Sequence, residues 1–190
     1  MLRVLIAYGT TEGQTGRIAE YLAKVIRSHG HEAFPVDVER ASAPRPDGYD
    51  AVIVGGSIHM GRHERSVVHY VRRNRGALES LPSAFFSVSL AAHDNSDEGH
   101  KEVEGYIEKF MQQTGWRPLM VGVFAGALLY THYGFFKRWI MRKIARDKGS
   151  PDTDPSRDYV YTDWDGVKRF AEEFLETLVP EGAVSAGSGR

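Results

Sequence analysis

The sequence predicts an α/β fold: a three-layer sandwich with helices on both faces of a five-stranded parallel sheet. Three observations carry that prediction. Short, largely apolar segments (LRVLIAY, AVIVG, AFFSVSL) alternate with amphipathic ones along most of the chain. Glycine, proline and small polar residues punctuate the two kinds of segment. At 190 residues, with 42% hydrophobic and 26% charged content, the chain fits one ordinary domain that buries a real core.

Leu2 to Tyr8, bounded by Gly9, reads as a buried central strand. Gly13 to Ser28 carries Ile18, Leu22, Val25 and Ile26 at helical spacing, and Gly30 stops that helix. His31 to Val38 makes a second strand, Pro44 to Pro46 turns the chain, and Ala51 to Gly55 is a third strand with no polar side chain. A helix over about Ser66 to Asn74 leads to Ser80-Leu81-Pro82. Ala84 to Leu90 and Leu119 to Leu129 are the fourth and fifth strands, separated by a helix over about Glu102 to Thr114. The last helix, Trp164 to Leu178, ends before Pro180. The domain therefore spans 1–178, with an insertion at about 130–163 between strand five and the last helix, and 179–190 forms a tail whose Gly, Ser and Ala content predicts disorder.

Strands that alternate with helices force right-handed crossovers, and five of them suggest the flavodoxin-like order 2-1-3-4-5. A ligand crevice then lies outside the carboxyl ends of the strands, where the order switches between strands one and three. The loops that matter follow Tyr8, Gly55, Leu90 and Leu128.

Composition removes several classes of chemistry. With no cysteine, disulfides, thiolate catalysis and cysteine-ligated metal or iron-sulfur sites are excluded, so redox work requires a cofactor. A formal charge of -1, from 24 basic and 25 acidic residues, supplies no global field to attract nucleic acid or a bilayer. The N-terminus lacks a basic signal-type region and no run of ~18 apolar residues occurs, which predicts a cytoplasmic protein that does not span a membrane.

The first loop reads Gly9-Thr10-Thr11-Glu12-Gly13-Gln14-Thr15 and runs from strand into helix. Hydroxyls and free backbone N–H groups at a helix N-terminus suit an anion such as a phosphate monoester. The same threonines would also serve as plain helix caps. The loop has no lysine and matches neither the Walker pattern nor the dinucleotide fingerprint, which disfavours ATP and NAD as primary ligands.

Thr10 to Thr15 resembles the phosphate-binding loop of flavodoxins, with Glu12 where a third hydroxyl is usual. Gly55 to Gly61 (with Ser57, Ile58, His59 and Met60) and Ser87 to His93 (with Val88, Ser89, Leu90, Ala91 and Ala92) sit where that family holds the flavin ring. Small residues there allow backbone to approach a flat ring. The resemblance is closer to one group. Ala51 to Gly61, Pro82 to Ala92, Trp116-Arg117-Pro118, Phe124 to Leu128 and Val160 to Trp164 resemble the menaquinone-dependent protoporphyrinogen oxidase family, over about residues 2 to 178. That resemblance implies FMN as cofactor, a six-electron oxidation of protoporphyrinogen IX in haem biosynthesis, and a quinone as acceptor. A flavodoxin-type FMN electron carrier and an NAD(P)H quinone reductase are the alternatives. The -1 charge disfavours the carrier, because carriers of this type are acidic, and no nicotinamide platform is identifiable for the reductase.

Inside the insertion, Phe136, Ile140 and Ile144 line up at spacing four, with Phe135 and Trp139 beside them. Arg138, Arg142 and Arg146 form a second line, joined by Lys137, Lys143 and Lys148. This basic amphipathic helix either packs on the sheet with a solvated cationic face, or meets lipid phosphates or porphyrin propionates. The contact candidates are Lys137, Arg138, Trp139, Arg142, Lys143 and Arg146, and peripheral contact with an anionic membrane surface is the expectation they raise. His59 and His63 are four apart but lack a third ligand, so no metal is expected. His93 and His132 are the candidates for a proton acceptor, since a porphyrinogen sheds protons as it is oxidised.

Overall fold

The structure is a computed structural model that describes residues 1–40, 43–94, 96–128 and 159–178. Its elements in chain order are β1 (Arg3–Gly9), α1 (Gln14–Ser28), β2 (Glu32–Asp37), β3 (Ala51–His59), β4 (Arg62–His63), α2 (Arg65–Ser80), β5 (Ser83–Ser89), α3 (Asp97–Thr114), β6 (Met120–Ala125), β7 (Ala127–Leu128), β8 (Tyr159–Val160) and α4 (Trp164–Thr177). The parallel strands run in the order β2-β1-β3-β5-β6, which is the predicted 2-1-3-4-5 arrangement.

Because successive side chains of a strand point to opposite faces, the sheet sorts its apolar residues into two layers. Val4, Ile6, Ile53, Phe86 and Phe124 face α1 and α4, where Ile18, Leu22, Phe170 and Phe174 meet them. Leu5, Ala7, Val52, Val54 and Phe85 face α2 and α3, against Val67, Val71, Phe110 and Trp116. Trp116 and Phe110 are both buried there. The central strands are covered on both faces, which is why β1, β3 and β5 read as largely apolar segments without strict alternation.

Element boundaries differ from expectation where glycine or charge misled. β3 does not stop at Gly55; it continues to His59 and folds back through Met60 and Gly61, at φ 51° and 76°, to pair with β4. Glycine inside this strand marks close packing rather than an end: a Cβ on Gly55 would lie 2.0 Å from the Phe86 ring. α2 extends to Ser80, well beyond Asn74, since the arginines that follow Tyr70 are helix formers on a solvated face. α3 begins at Asp97 rather than Glu102: Ser96 Oγ accepts from Gly99 N at 3.1 Å, and Asp97 and Glu98 suit the helix N-terminus.

The fifth strand is the largest departure. It ends at Ala125, and after Gly126 the chain leaves the main sheet as β7, which pairs antiparallel with β8 in a second, two-stranded sheet. The residues predicted to form the basic helix, 135–146, and His132 and residues 179–190 lie outside the described residues. Among the described residues no helix is long and apolar enough to cross a membrane.

Candidate functional site

The carboxyl ends of β1, β3, β5 and β6 bring four loops to one edge of the sheet. The first is built by its own residues. Gly13, at φ 89° in the left-handed region, turns the chain into α1, and its N–H donates to Thr10 Oγ1 at 2.8 Å. Thr10 therefore does act as a local cap, though of the loop and not of the helix. The first backbone bond into the helix is Arg17 N to Gly13 O at 3.1 Å, so the N–H groups of Gln14, Thr15 and Gly16 have no intrahelical partner. Thr15 is buried, and its hydroxyl has no hydrogen-bond partner among the described residues. An unsatisfied buried hydroxyl, a row of free N–H groups and no acidic residue in the first turn together form a site for an anion. A phosphate monoester fits this donor set.

Neighbouring elements fix the position of that loop. Gln14 Nε2 donates to Thr162 Oγ1 at 2.8 Å, and Thr162 Oγ1 donates to the Ala125 carbonyl at 2.8 Å. Thr162 thus ties the start of α1 to the end of β6. Ser66 Oγ, at the start of α2, is a second buried hydroxyl without a partner among the described residues, and it lies beside Gly9.

The second loop is the β3–β4 hairpin. Ser57, Ile58 and His59 belong to β3 itself and Met60 and Gly61 form the tip, with Met60 67% exposed. One side chain from outside the predicted set holds the hairpin. Glu64 Oε2 accepts from Ser57 N at 2.9 Å, Glu64 Oε1 accepts from the Ser57 hydroxyl, and the same oxygen accepts from Thr11 Oγ1 at 3.2 Å. Glu64 therefore joins the first loop to the second. Burial pushes its carboxyl above the usual range, and the hydrogen bonds from Ser57 and Thr11 only partly offset that.

The third loop divides in two. Ser87, Val88 and Ser89 lie within β5 and are buried, and Val88 packs in the core. Ser87 Oγ shares a hydrogen bond of 2.9 Å with His63 Nε2. His63 is buried between Phe85 and Phe110, at ring-centroid separations of 5.2 and 4.9 Å, and burial pushes its pKa down to about 3. His63 is thus a neutral core residue that pins β4 to β5. Only Leu90, Ala91 and Ala92 emerge at the strand end, in a short turn closed by Ala92 N donating to Ser89 Oγ at 3.2 Å.

His93 stacks on Tyr161 with ring centroids 4.2 Å apart. The pair lines a cavity of about 470 Å³ that Phe124 and the exposed pair Asp163 and Arg169, 3.3 Å apart, also border. Among the described residues, no three histidine or carboxylate side chains cluster as metal ligands would. His132, Lys137, Arg138, Trp139, Arg142, Lys143 and Arg146 lie outside the described residues.

The structure thus brings Thr10 to Thr15, Ser57 to Gly61 and Leu90 to Ala92 to one edge, and turns the side chains of Ser87 and Val88 inward. Sequence reasoning missed Glu64, Ser66 and Thr162 as members of the site. For Thr162 a signal existed, since Val160 to Trp164 already carried part of the family resemblance.

Comparison with known proteins agrees with this geometry. A family model described as a flavodoxin domain matches residues 5–154. The chain is 36% identical over 172 residues to the protoporphyrinogen IX dehydrogenase [quinone] of Escherichia coli strain K12, covering 90% of this chain and 94% of that protein. It is 33% identical over 201 residues to the protein of that name from Leishmania major, covering 98% and 86%. Among solved structures it resembles oxidised flavodoxin 1 from Bacillus cereus, with TM-score 0.52, 16% identity and coverage of 93% and 99%. It also resembles a short-chain flavodoxin associated with a non-canonical PDU bacterial microcompartment, with TM-score 0.56, 12% identity and coverage of 94% and 100%.

Proposed function

The chain belongs to the flavodoxin-domain family and, within it, to the protoporphyrinogen IX dehydrogenases that use a quinone, and from that membership we propose that it oxidises protoporphyrinogen IX to protoporphyrin IX with FMN as cofactor. Likeness to those relatives over nearly their whole length supports the substrate and the quinone acceptor. The unsatisfied Thr15 hydroxyl at the free N-terminus of α1 is the observation that supports FMN.

When bound, FMN supplies a ring that accepts hydride equivalents from the porphyrinogen and passes them to the quinone. The protein's part is to bind, orient and accept protons. The N–H groups of Gln14, Thr15 and Gly16 and the Thr15 hydroxyl would hold the phosphate. Backbone of Ser57 to Gly61 and of Leu90 to Ala92 would hold the ring, with Ser57 kept in place by Glu64. Removing six electrons from the porphyrinogen also releases protons; we assign one of them to His93, whose stack on Tyr161 supports that role. His132 is a second candidate by sequence alone. The cationic 137–146 segment serves a peripheral contact with anionic lipid, near which each Lys or Arg contributes ~1 kcal/mol. Adsorption to anionic vesicles that is lost in half-molar salt supports that contact; partitioning unchanged by salt refutes it.

The direct test is anaerobic. FMN-loaded protein is mixed with protoporphyrinogen IX and a menaquinone analogue, and porphyrin fluorescence is followed. A rise that requires both protein and quinone is expected. No rise, from flavin that still exchanges electrons with other acceptors, refutes the enzyme reading in favour of an electron carrier.

A further inference from the structure

A second concave surface lies below the β3–β4 hairpin, between the outer sides of α2 and α3, and has a volume of about 330 Å³. Arg62, Arg65, His69 and Arg72 line it, together with His63, Val68 and Gln113. Along 62–75 the chain places Arg62, Arg65, Arg72, Arg73 and Arg75 against a single acid, Glu64, in a protein whose formal charge is only -1. That acid does not neutralise the groove, because its carboxylate oxygens are taken up by Ser57 and Thr11. Arg75 is paired with Glu79 at 3.0 Å, and Arg72 Nε donates to the Gln113 carbonyl at 2.7 Å. Among the described residues no carboxylate pairs with Arg62, Arg65 or Arg72.

The groove opens next to the crevice. Arg62 stands on β4 two residues beyond the exposed Met60 tip, and strand alternation turns it outward while its neighbour His63 turns into the core. Arg65 begins α2, and Arg72 lies seven residues on, about 10 Å further along the same helix. An apolar tip beside the ring loops, followed by uncompensated guanidinium groups, matches a flat apolar molecule with carboxylates on one side. We propose that Arg62, Arg65 and Arg72 bind the carboxylates of the porphyrinogen, and that Met60 supports the macrocycle between them and the flavin loops. This rests on the enzyme reading above and adds where the substrate's charged edge lies. Arginine suits the role because its fork of N–H donors meets a carboxylate through two hydrogen bonds.

The test compares protoporphyrinogen IX with its uncharged dimethyl ester, using the full-length FMN-loaded protein and the double variant Arg62→Gln/Arg65→Gln. The wild type should favour the diacid, and the variant should raise KM for the diacid by about tenfold and close the gap to the ester. Affinity for protoporphyrin IX itself, read by fluorescence quenching, should fall by a similar factor and identify the loss as one of binding. Arg62→Lys/Arg65→Lys, which keeps charge without the bidentate fork, should recover only part of it. A wild type that treats diacid and ester alike, or a variant that keeps the discrimination, overturns the groove assignment and leaves the enzyme reading standing. Variants that keep the discrimination but lose adsorption to anionic vesicles give the groove to lipid, and overturn it too. A wild type that oxidises neither form overturns the enzyme reading and this inference with it.

Discussion

The first and second loops of the candidate site are held by opposite constructions. The first, Thr10 to Thr15, is shaped locally: Gly13 turns the chain, Thr10 accepts from Gly13 N, and the helix itself presents the donors. The second, Ser57 to Gly61, is held from a distance in sequence, by Glu64 across the hairpin and by the His63–Ser87 bond between β4 and β5. A loop that shapes itself tolerates change in its surroundings. A loop held by buried polar partners fails when one partner is removed, because the group left behind pays full desolvation. The comparison predicts which substitutions reach the flavin through stability and which through binding alone.

The largest expected effect is at the second loop. His63→Ala opens a cavity between Phe85 and Phe110 and leaves Ser87 Oγ without its partner, and should destabilise the protein by roughly 3 kcal/mol in chemical denaturation. If the loss is under about 1 kcal/mol, the hairpin is not held by this contact. The same histidine should make the wild type acid-sensitive. Its folded pKa lies at about 3, below the ordinary 6.5, so the unfolded chain binds the proton more tightly. The stability it contributes is complete above pH 6.5 and declines as pH falls toward 3, by up to roughly 1.4 kcal/mol per unit. His63→Gln should flatten that slope; a slope identical to the wild type's would place the acid sensitivity elsewhere.

Glu64→Gln should act on ligand affinity more than on the fold. The amide can still accept from Ser57 N, but it removes a carboxylate whose charged form lies beside the phosphate loop. Because burial raises this carboxyl's pKa, wild-type FMN affinity should weaken as pH rises through that pKa and the charge appears. The variant should bind FMN a few times more tightly than the wild type above that transition and equally below it. A pH profile shared by both proteins would show that Glu64 does not couple the loops. The smallest effect belongs to the first loop: Thr10→Ala loses one cap-like hydrogen bond, about 1 kcal/mol, seen as a small shift in the denaturation midpoint.

The same contrast separates what was legible in the amino-acid sequence from what was not. Strand order and the two-layer core were legible because β1, β3 and β5 are apolar runs and α1 keeps a strict helical stripe. The shape of the first loop was legible because its logic is local, with glycine, hydroxyls and a helix start in sequence. Glu64 was not, since a glutamate just before an arginine-rich helix reads as a solvated charge, and only the hairpin turns it onto Ser57 and Thr11. Ser87 read as a ring-loop residue for the same reason. Nothing in its neighbours reveals that His63, distant in sequence, draws its hydroxyl into the core. The end of β6 was misread as one long strand because Leu119 to Leu129 stays apolar through Gly126, where the chain actually changes sheets.

FMN at the N-terminus of α1 is the central claim, and an equilibrium titration tests it most directly. FMN fluorescence quenching is followed for the wild type and for Thr15→Asp, with circular dichroism to verify that both remain folded. An aspartate there sets negative charge against the phosphate at the positive end of the helix and removes the buried hydroxyl donor. The account predicts a folded variant that no longer retains FMN, with affinity reduced by at least about a hundredfold. A folded variant that binds FMN with wild-type affinity and stoichiometry would contradict it.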